Sequence, residues 1–414
     1  MENKKTWESL SRAVDALGFS GADFVRDMKD LYSVYTPDVV DWLAGIYDNA
    51  SGGFYYSNSA RDNAQFLPDI ESTNQATNYL LSSGLVKNCD ELPEFMKAKI
   101  IAFCKSLQSP EDGYIYHPQW GKDITDHRRG RDLMWAESMR KKFHFDFDYP
   151  TALERLGKVA EKREVQTEMP SHLTSPERLI KYLDSYDWQD DAYFSGNAIA
   201  AQGIQIKAAG LSETVAAYLE SVQDKKRGMW GKKEGYASIN AYLKVSALYD
   251  KLGISIPNTD RAIGSIIDCI TSEEVCQSVC WQYNAWFSIY NIYNSMRKLG
   301  ELDGIEKIKK TLLKRSKATL RATRDKVATF KKSDGSFSYK PHRTSPTAQG
   351  APVALPDTNE GDMNATVICT GGILENVYRA FGLSEYEVPL FGKEEFERFI
   401  SIIKSNEERK EKSE

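Results

Sequence analysis

Cysteine and histidine are scarce in this chain and long apolar runs are absent, and each shortage removes a class of protein. The 414 residues include six cysteines, Cys89, Cys104, Cys269, Cys276, Cys280 and Cys369, with no CxxC pair and no histidine at finger spacing. That pattern argues against a structural zinc site and a disulfide framework, and it reads as reduced thiols packed between helices. No stretch reaches the roughly 18 consecutive apolar residues of a membrane span. The opening MENKKTWESLSRAVDALGF has acids in an amphipathic pattern, so it reads as a helix and not as a signal peptide. Positive charge is not in excess: the formal net charge is −5, which gives no reason to expect nucleic acid. Neither a dinucleotide fingerprint nor a P-loop is present. The expectation is a cytoplasmic chain with no cofactor, no metal site, no membrane and no nucleic-acid partner.

The sequence does contain helical periodicity. Apolar residues recur at steps of three and four and almost nowhere at two. After two helices near 5–17 and 21–34, the spacing predicts six pairs: 37–47 with 69–84, 92–108 with 131–143, 175–186 with 191–210, 212–223 with 236–252, 259–271 with 279–299, and 304–330 with 362–381. A last helix near 393–407 leads into the charged tail NEERKEKSE. First members such as SPERLIKYLDSYD are amphipathic and suit an outer position. Second members such as GNAIAAQGIQIKAAG are small or apolar nearly all round, as in helices buried on several sides.

A glycine-aromatic turn recurs before the second members, at GGFYYS (52–57), DGYIYH (112–117), RGMWGK (227–232) and DGSFSYK (334–340). Two helix starts share the form D-x-x-x-T, Asp69 to Thr73 and Asp362 to Thr366. Repeated units that cannot bury their own faces stack on neighbours. Six outer–inner pairs imply an all-α (α/α)6 toroid over 37–385, with an N-terminal helical extension over 1–36 and a C-terminal helix and tail over 386–414.

Over roughly 37–382, these turns and the helix LPDIESTNQATNYLLSSG resemble the toroid superfamily of terpenoid cyclases, squalene–hopene cyclases and protein prenyltransferase β-subunits. The resemblance implies the fold, which hosts many chemistries. Against the DxDDT of class II cyclases the chain has Asp69-Ile70-Glu71-Ser72-Thr73, with Glu71 in the proton donor's place and Ser72 replacing the next acid. Against the zinc ligands of prenyltransferases it has Cys280, Gln282 and Ala365, a broken triad. The turn GGFYYSNSARDN with LPDIEST, and YIYHPQWGK with HRRGRD, also look like uncharacterised toroid proteins of polysaccharide-degrading bacteria.

Inner-helix starts are where such a fold opens a cavity, so the candidate catalytic groups are Glu71, Asp69, His117 and Asp132. Asp69 reads equally as a helix cap, and Glu71 as a first-turn acid favoured by the helix dipole. Work as a general acid needs burial to lift the Glu71 pKa against that dipole. HRRGRD (127–132) reads either as a solvated loop in which Asp132 caps a helix, or as an anion-binding fork through Arg128 and Arg131. Candidate substrate-binding residues are Tyr56, Arg61, Trp120, Arg128, Arg131, Trp135, Asp191, Tyr193, Asn197, Trp230, Tyr236, Tyr283, Trp286 and Asp362. The aromatics among them pack between helices or stack on a ligand. The Pro-rich stretch 334–362 reads as a binding loop or a plain crossover. The expected function is a glycoside hydrolase or a polysaccharide or oligosaccharide lyase acting on an acidic sugar chain. The alternatives are a terpenoid cyclase-like enzyme with Glu71 as proton donor, and a non-catalytic toroid that binds a glycan or peptide.

Overall fold

The computed structural model describes residues 6–162 and 170–411. Helices dominate. Among the described residues the strands are two short ladders, Gln223–Asp224 with Met229–Trp230 and Thr347–Ala348 with Ala351–Pro352. No helix among the described residues is long and apolar enough to cross a membrane. All six cysteines are free thiols, five of them buried.

The chain forms two compact units. One comprises Met1–Leu31, Gln166–Lys326 and Ile373–Val388; the other comprises Tyr32–Val165, Val327–Gly372 and Pro389–Glu414. The second unit carries the helices Asp38–Gly45, Ile70–Ser82, Glu94–Ser106, Asp126–Phe143, Ala152–Lys162, Met363–Val367 and Lys393–Glu411. Its core includes Trp42, Leu43, Phe54, Ile70, Tyr79, Ile100, Trp135, Met139 and Met363.

Five elements differ from expectation. The helix expected from 131 begins at Asp126, and the Thr125 hydroxyl accepts the Arg128 N–H at 3.1 Å. HRRGRD is therefore the first turns of a helix, and Asp132 is not its cap. Thr-Asp is a strong helix start, and it outweighs Gly130. The helix Ala152–Lys162 was not expected. Thr151 and Glu154 form a reciprocal capping box there: the Thr151 N–H donates to the Glu154 carboxylate at 2.8 Å, and the Glu154 N–H to the Thr151 hydroxyl at 3.3 Å. The runs 191–210 and 304–330 each break into two helices, at Gln202 and at Arg315. Finally, a π turn over Ile368–Gly372 interrupts the helix that starts at Met363. The Tyr35 hydroxyl donates to the Cys369 carbonyl there at 2.7 Å. Gly371 lies so close to Ser82 that a Cβ would sit 2.2 Å from its hydroxyl, so the π turn brings this helix onto Ile70–Ser82.

The glycine-aromatic turns share one geometry. Each doubles back on the end of the preceding helix, pairing Phe54 with Tyr47, Ile115 with Gln108, Trp230 with Gln223 and Phe337 with Lys331. Gly52 and Gly335 have φ of 86° and 79°. A Cβ on Gly52 would fall 2.4 Å from the Lys99 backbone, and one on Gly335 2.4 Å from Val39 N. Only glycine allows both the left-handed conformation and that approach to the helices Glu94–Ser106 and Asp38–Gly45. The D-x-x-x-T starts lock two of these turns. The Asp69 and Asp362 carboxylates accept the N–H groups of Ser72 at 2.7 Å and Ala365 at 2.8 Å. The Thr73 and Thr366 hydroxyls accept the N–H groups of Phe54 and Phe337, each at 3.0 Å.

Candidate functional site

At the start of Ile70–Ser82, the second unit buries a charged cluster around one guanidinium. Arg128, on the first turn of Asp126–Phe143, is fully buried. Its Nε donates to Asp132 Oδ1 at 2.7 Å, and its Nη1 donates to the Ala348 carbonyl at 2.8 Å and lies 3.0 Å from Glu71 Oε2. Its Nη2 is 3.6 Å from Asp69 Oδ2. Asp69 Oδ2 also faces His117 Nε2 at 3.4 Å. The Gln119 N–H donates to His117 Nδ1 at 3.2 Å, which assigns the ring proton to Nε2, on the Asp69 side. Glu71, Asp69, Asp132 and His117 are each no more than 2% exposed.

Three carboxylates share one arginine, and their proton affinities separate. Burial pushes Asp69 up, but Arg128 and the His117 contact outweigh it and hold Asp69 at about 2. For Glu71 burial wins. With Asp69 and Asp132 repelling its charge, Glu71 rises to about 8 despite Arg128. Burial likewise lifts Asp132 to about 7 against the pull of Arg128. At neutral pH Asp69 balances Arg128 and Glu71 keeps its proton. A cluster of three full negative charges on one guanidinium would be far costlier to bury.

The cluster is also under-satisfied. Arg131 Nε and Asp132 Oδ2 are buried without a hydrogen-bond partner, and Glu71 Oε2, His117 Nε2 and Arg128 Nη2 have only the ion-pair contacts within the cluster, at 3.0, 3.4 and 3.6 Å. Buried polar atoms are nearly always paired, so this degree of under-satisfaction is unusual. The stretch 334–362 is tied down beside it. Besides the Ala348 carbonyl on Arg128, the Pro352 carbonyl accepts from Trp120 Nε1 at 2.9 Å, and the Ser59 N–H donates to Glu360 at 2.8 Å.

Of the expected catalytic residues, Asp69, Glu71, His117 and Asp132 converge here, and Asp69 is at the same time a true helix cap. Tyr56 and Asp362 adjoin the cluster. Trp135 lies under both Arg128 and Arg131, 5.7 and 4.7 Å from ring centre to guanidinium carbon. Arg128 is committed to the cluster, so Arg131 is the fork arginine with the freer guanidinium. Arg61 stays outside, bound to Asp62 and the Gly45 carbonyl. Asp191, Tyr193, Asn197, Trp230, Tyr236, Tyr283 and Trp286 belong to the other unit. There Trp230 and Trp286 are core side chains whose indoles donate to the Leu219 carbonyl at 2.9 Å and the Thr323 hydroxyl at 3.0 Å. Tyr236 is buried too, bonded to Gln282 at 2.6 Å.

Two participants were missed from the sequence. Gln75 donates to Glu71 at 3.2 Å and to Asn364 at 3.1 Å. Its spacing of four from Glu71 on one helix was an available signal. The Ala348 carbonyl had no sequence signal at all. Among the described residues no group of three His, Cys, Asp or Glu has metal-holding geometry. In comparisons with known proteins, the chain matches no family model, no curated protein and no solved structure.

Proposed function

We propose that this chain is a carbohydrate-active enzyme, a glycoside hydrolase or lyase, in which Glu71 is the general acid. The observation that carries the reading is the split in one cluster: Glu71 held up at about 8 beside Asp69 held down at about 2. Neighbouring carboxyls pushed apart in this way take opposite acid and base roles. Glycosidic cleavage needs a protonated carboxyl to meet the leaving oxygen and a second group to act as base or nucleophile. Asp132 and Asp69 with His117 are the available second groups. Arg131, half-buried over Trp135, supplies a fork for the carboxylate of an acidic sugar.

This reading takes the helix pairs as an (α/α)6 toroid acting in the cytoplasm on an oligosaccharide. Support for the toroid comes from the repeated turn that sets each glycine on the next outer helix, with Gly335 on Val39.

A terpenoid cyclase-like enzyme is the second reading. The near-complete burial of Glu71, 1% exposed, favours it, since a closed chamber suits proton donation to an alkene. One screen separates the two: wild type and Glu71→Gln against acidic and neutral glycans, and against linear prenyl substrates. Glycan cleavage by wild type, reduced about 100- to 10,000-fold in Glu71→Gln, is the expected result. Turnover of prenyl substrates alone would select the second reading. Glycan cleavage unchanged in Glu71→Gln would remove Glu71 from the chemistry.

A further inference from the structure

The third glycine-aromatic turn precedes the helix Gly235–Leu252 as the first precedes Ile70–Ser82. Its helix start reads Glu234-Gly235-Tyr236-Ala237-Ser238, which puts Ser238 in the place of Thr73 and Thr366. There the likeness ends. Thr73 and Thr366 each accept a turn N–H, whereas the Ser238 hydroxyl has no hydrogen-bond partner although Ser238 is only 3% exposed. Glu234 makes no cap bond, and the Tyr236 N–H donates instead to Glu274 at 3.1 Å.

With the lock undone, Ser238 lines a cavity of about 540 Å³. Met229 and Ile239 give it an apolar wall, and Glu234 and Glu274 give it carboxylates; Asp268, also on the wall, is paired with Arg315 at 3.5 Å. The one arginine on the wall, Arg227, is already engaged. Its guanidinium bonds Asp224 at 2.6 Å and the carbonyls of Lys233 and Gly231 at 2.8 and 2.7 Å. Lys326 donates to the Tyr236 hydroxyl at 3.0 Å and the Cys269 carbonyl at 3.1 Å and is within electrostatic reach of Glu274, so Glu234 is the less compensated carboxylate. The volume suits a small ligand, and Glu234 supplies a negative charge with no side-chain cap bond of its own.

We propose that this cavity binds a small primary aliphatic amine. The ammonium sits among the carboxylates of Glu234 and Glu274 and donates to the Ser238 hydroxyl, which is an open acceptor. The carbon chain lies along Met229 and Ile239. An anion is disfavoured by the Glu234 and Glu274 carboxylates, and a neutral polyol brings no charge to answer Glu234. The site belongs to the first unit and does not depend on the role assigned to Glu71.

Calorimetric titration of the full chain with putrescine tests it, with butane-1,4-diol as the neutral isostere. Expected are one-to-one binding of putrescine, no detectable heat with the diol, and affinity about tenfold lower or worse in Glu234→Gln, the loss of one charged contact. Ser238→Val, which fills the hydroxyl's place with a methyl, should weaken binding similarly. If that variant melts early, Glu234→Gln alone decides. Absence of putrescine binding at about 10 mM, equal binding of the diol, or unchanged affinity in Glu234→Gln overturns the proposal.

Discussion

Two helix starts with the same local design end in opposite electrostatic states. Asp69 and Asp362 each cap a helix, each is buried, and each is followed by a threonine that locks a glycine-aromatic turn. Yet Asp69 is held at about 2, whereas Asp362 is lifted to about 6. Burial raises both. Asp362 is answered by neutral donors, the Ala365 and Tyr339 N–H groups at 2.8 and 2.9 Å and the Thr344 hydroxyl at 2.7 Å. Asp69 has Arg128 and His117. A cap satisfies the hydrogen bonds of a carboxylate, but only a buried cation offsets its desolvation. Glu71 falls between these cases: it is near the cation, but Asp69 and Asp132 already compete for it.

Removing the cation should abolish the contrast. Arg128→Leu leaves three carboxyls facing each other without a counter-charge, and a loss of about 3–5 kcal/mol is expected in urea unfolding at pH 7. Asp69 should then titrate no lower than Asp362. A loss under about 1 kcal/mol would show that Arg128 does not organise the cluster.

The next effect concerns pH. The folded pKa values of Glu71 and Asp132, about 8 and about 7, lie above the ordinary values of 4.5 and 3.8. Their contribution to stability is therefore complete below those ordinary values, and it is lost as pH rises through 7 and 8. Asp69 works in the other direction: it is depressed to about 2 from 3.8, so its contribution is complete above 3.8 and is lost as pH falls through 2. Glu71→Gln should flatten the alkaline limb, leaving the variant more stable than wild type at pH 9. Parallel melting curves for both proteins between pH 6 and pH 9 would contradict this.

The smallest effect tests what the two starts share. Thr73→Val and Thr366→Val each strand one turn N–H, and each should cost about 1–3 kcal/mol. Similar losses fit a common turn lock. A loss at Thr73 alone would tie that hydroxyl to the charged cluster instead.

Much of this was legible in the sequence, and the rest fails for physical reasons. The helix-period pattern, the turns at 52–57 and 334–340, and Asp69 as a cap all rest on interactions within a few residues. Glu71 was legible as a first-turn acid whose role depended on burial. Arg128 was legible as a candidate anion fork but not as the buried centre of the cluster, since four potentially cationic side chains around Gly130 argue for solvent. Its burial depends on Ala348, a partner 220 positions away whose carbonyl has no residue-type signature. The Thr151–Glu154 box was a local signal and was still passed over. Trp230 and Trp286 suit ligand stacking and core packing equally well by composition, and the structure packs them in the core.

The protonation of Glu71 can be measured directly. Carbon-detected NMR of the side-chain carboxyls, in wild type and Glu71→Gln between pH 4 and pH 9, should reveal one glutamate titrating near 8 that vanishes in the variant. If instead every glutamate titrates below about 5.5, Glu71 is ionised at neutral pH and cannot serve as the acid.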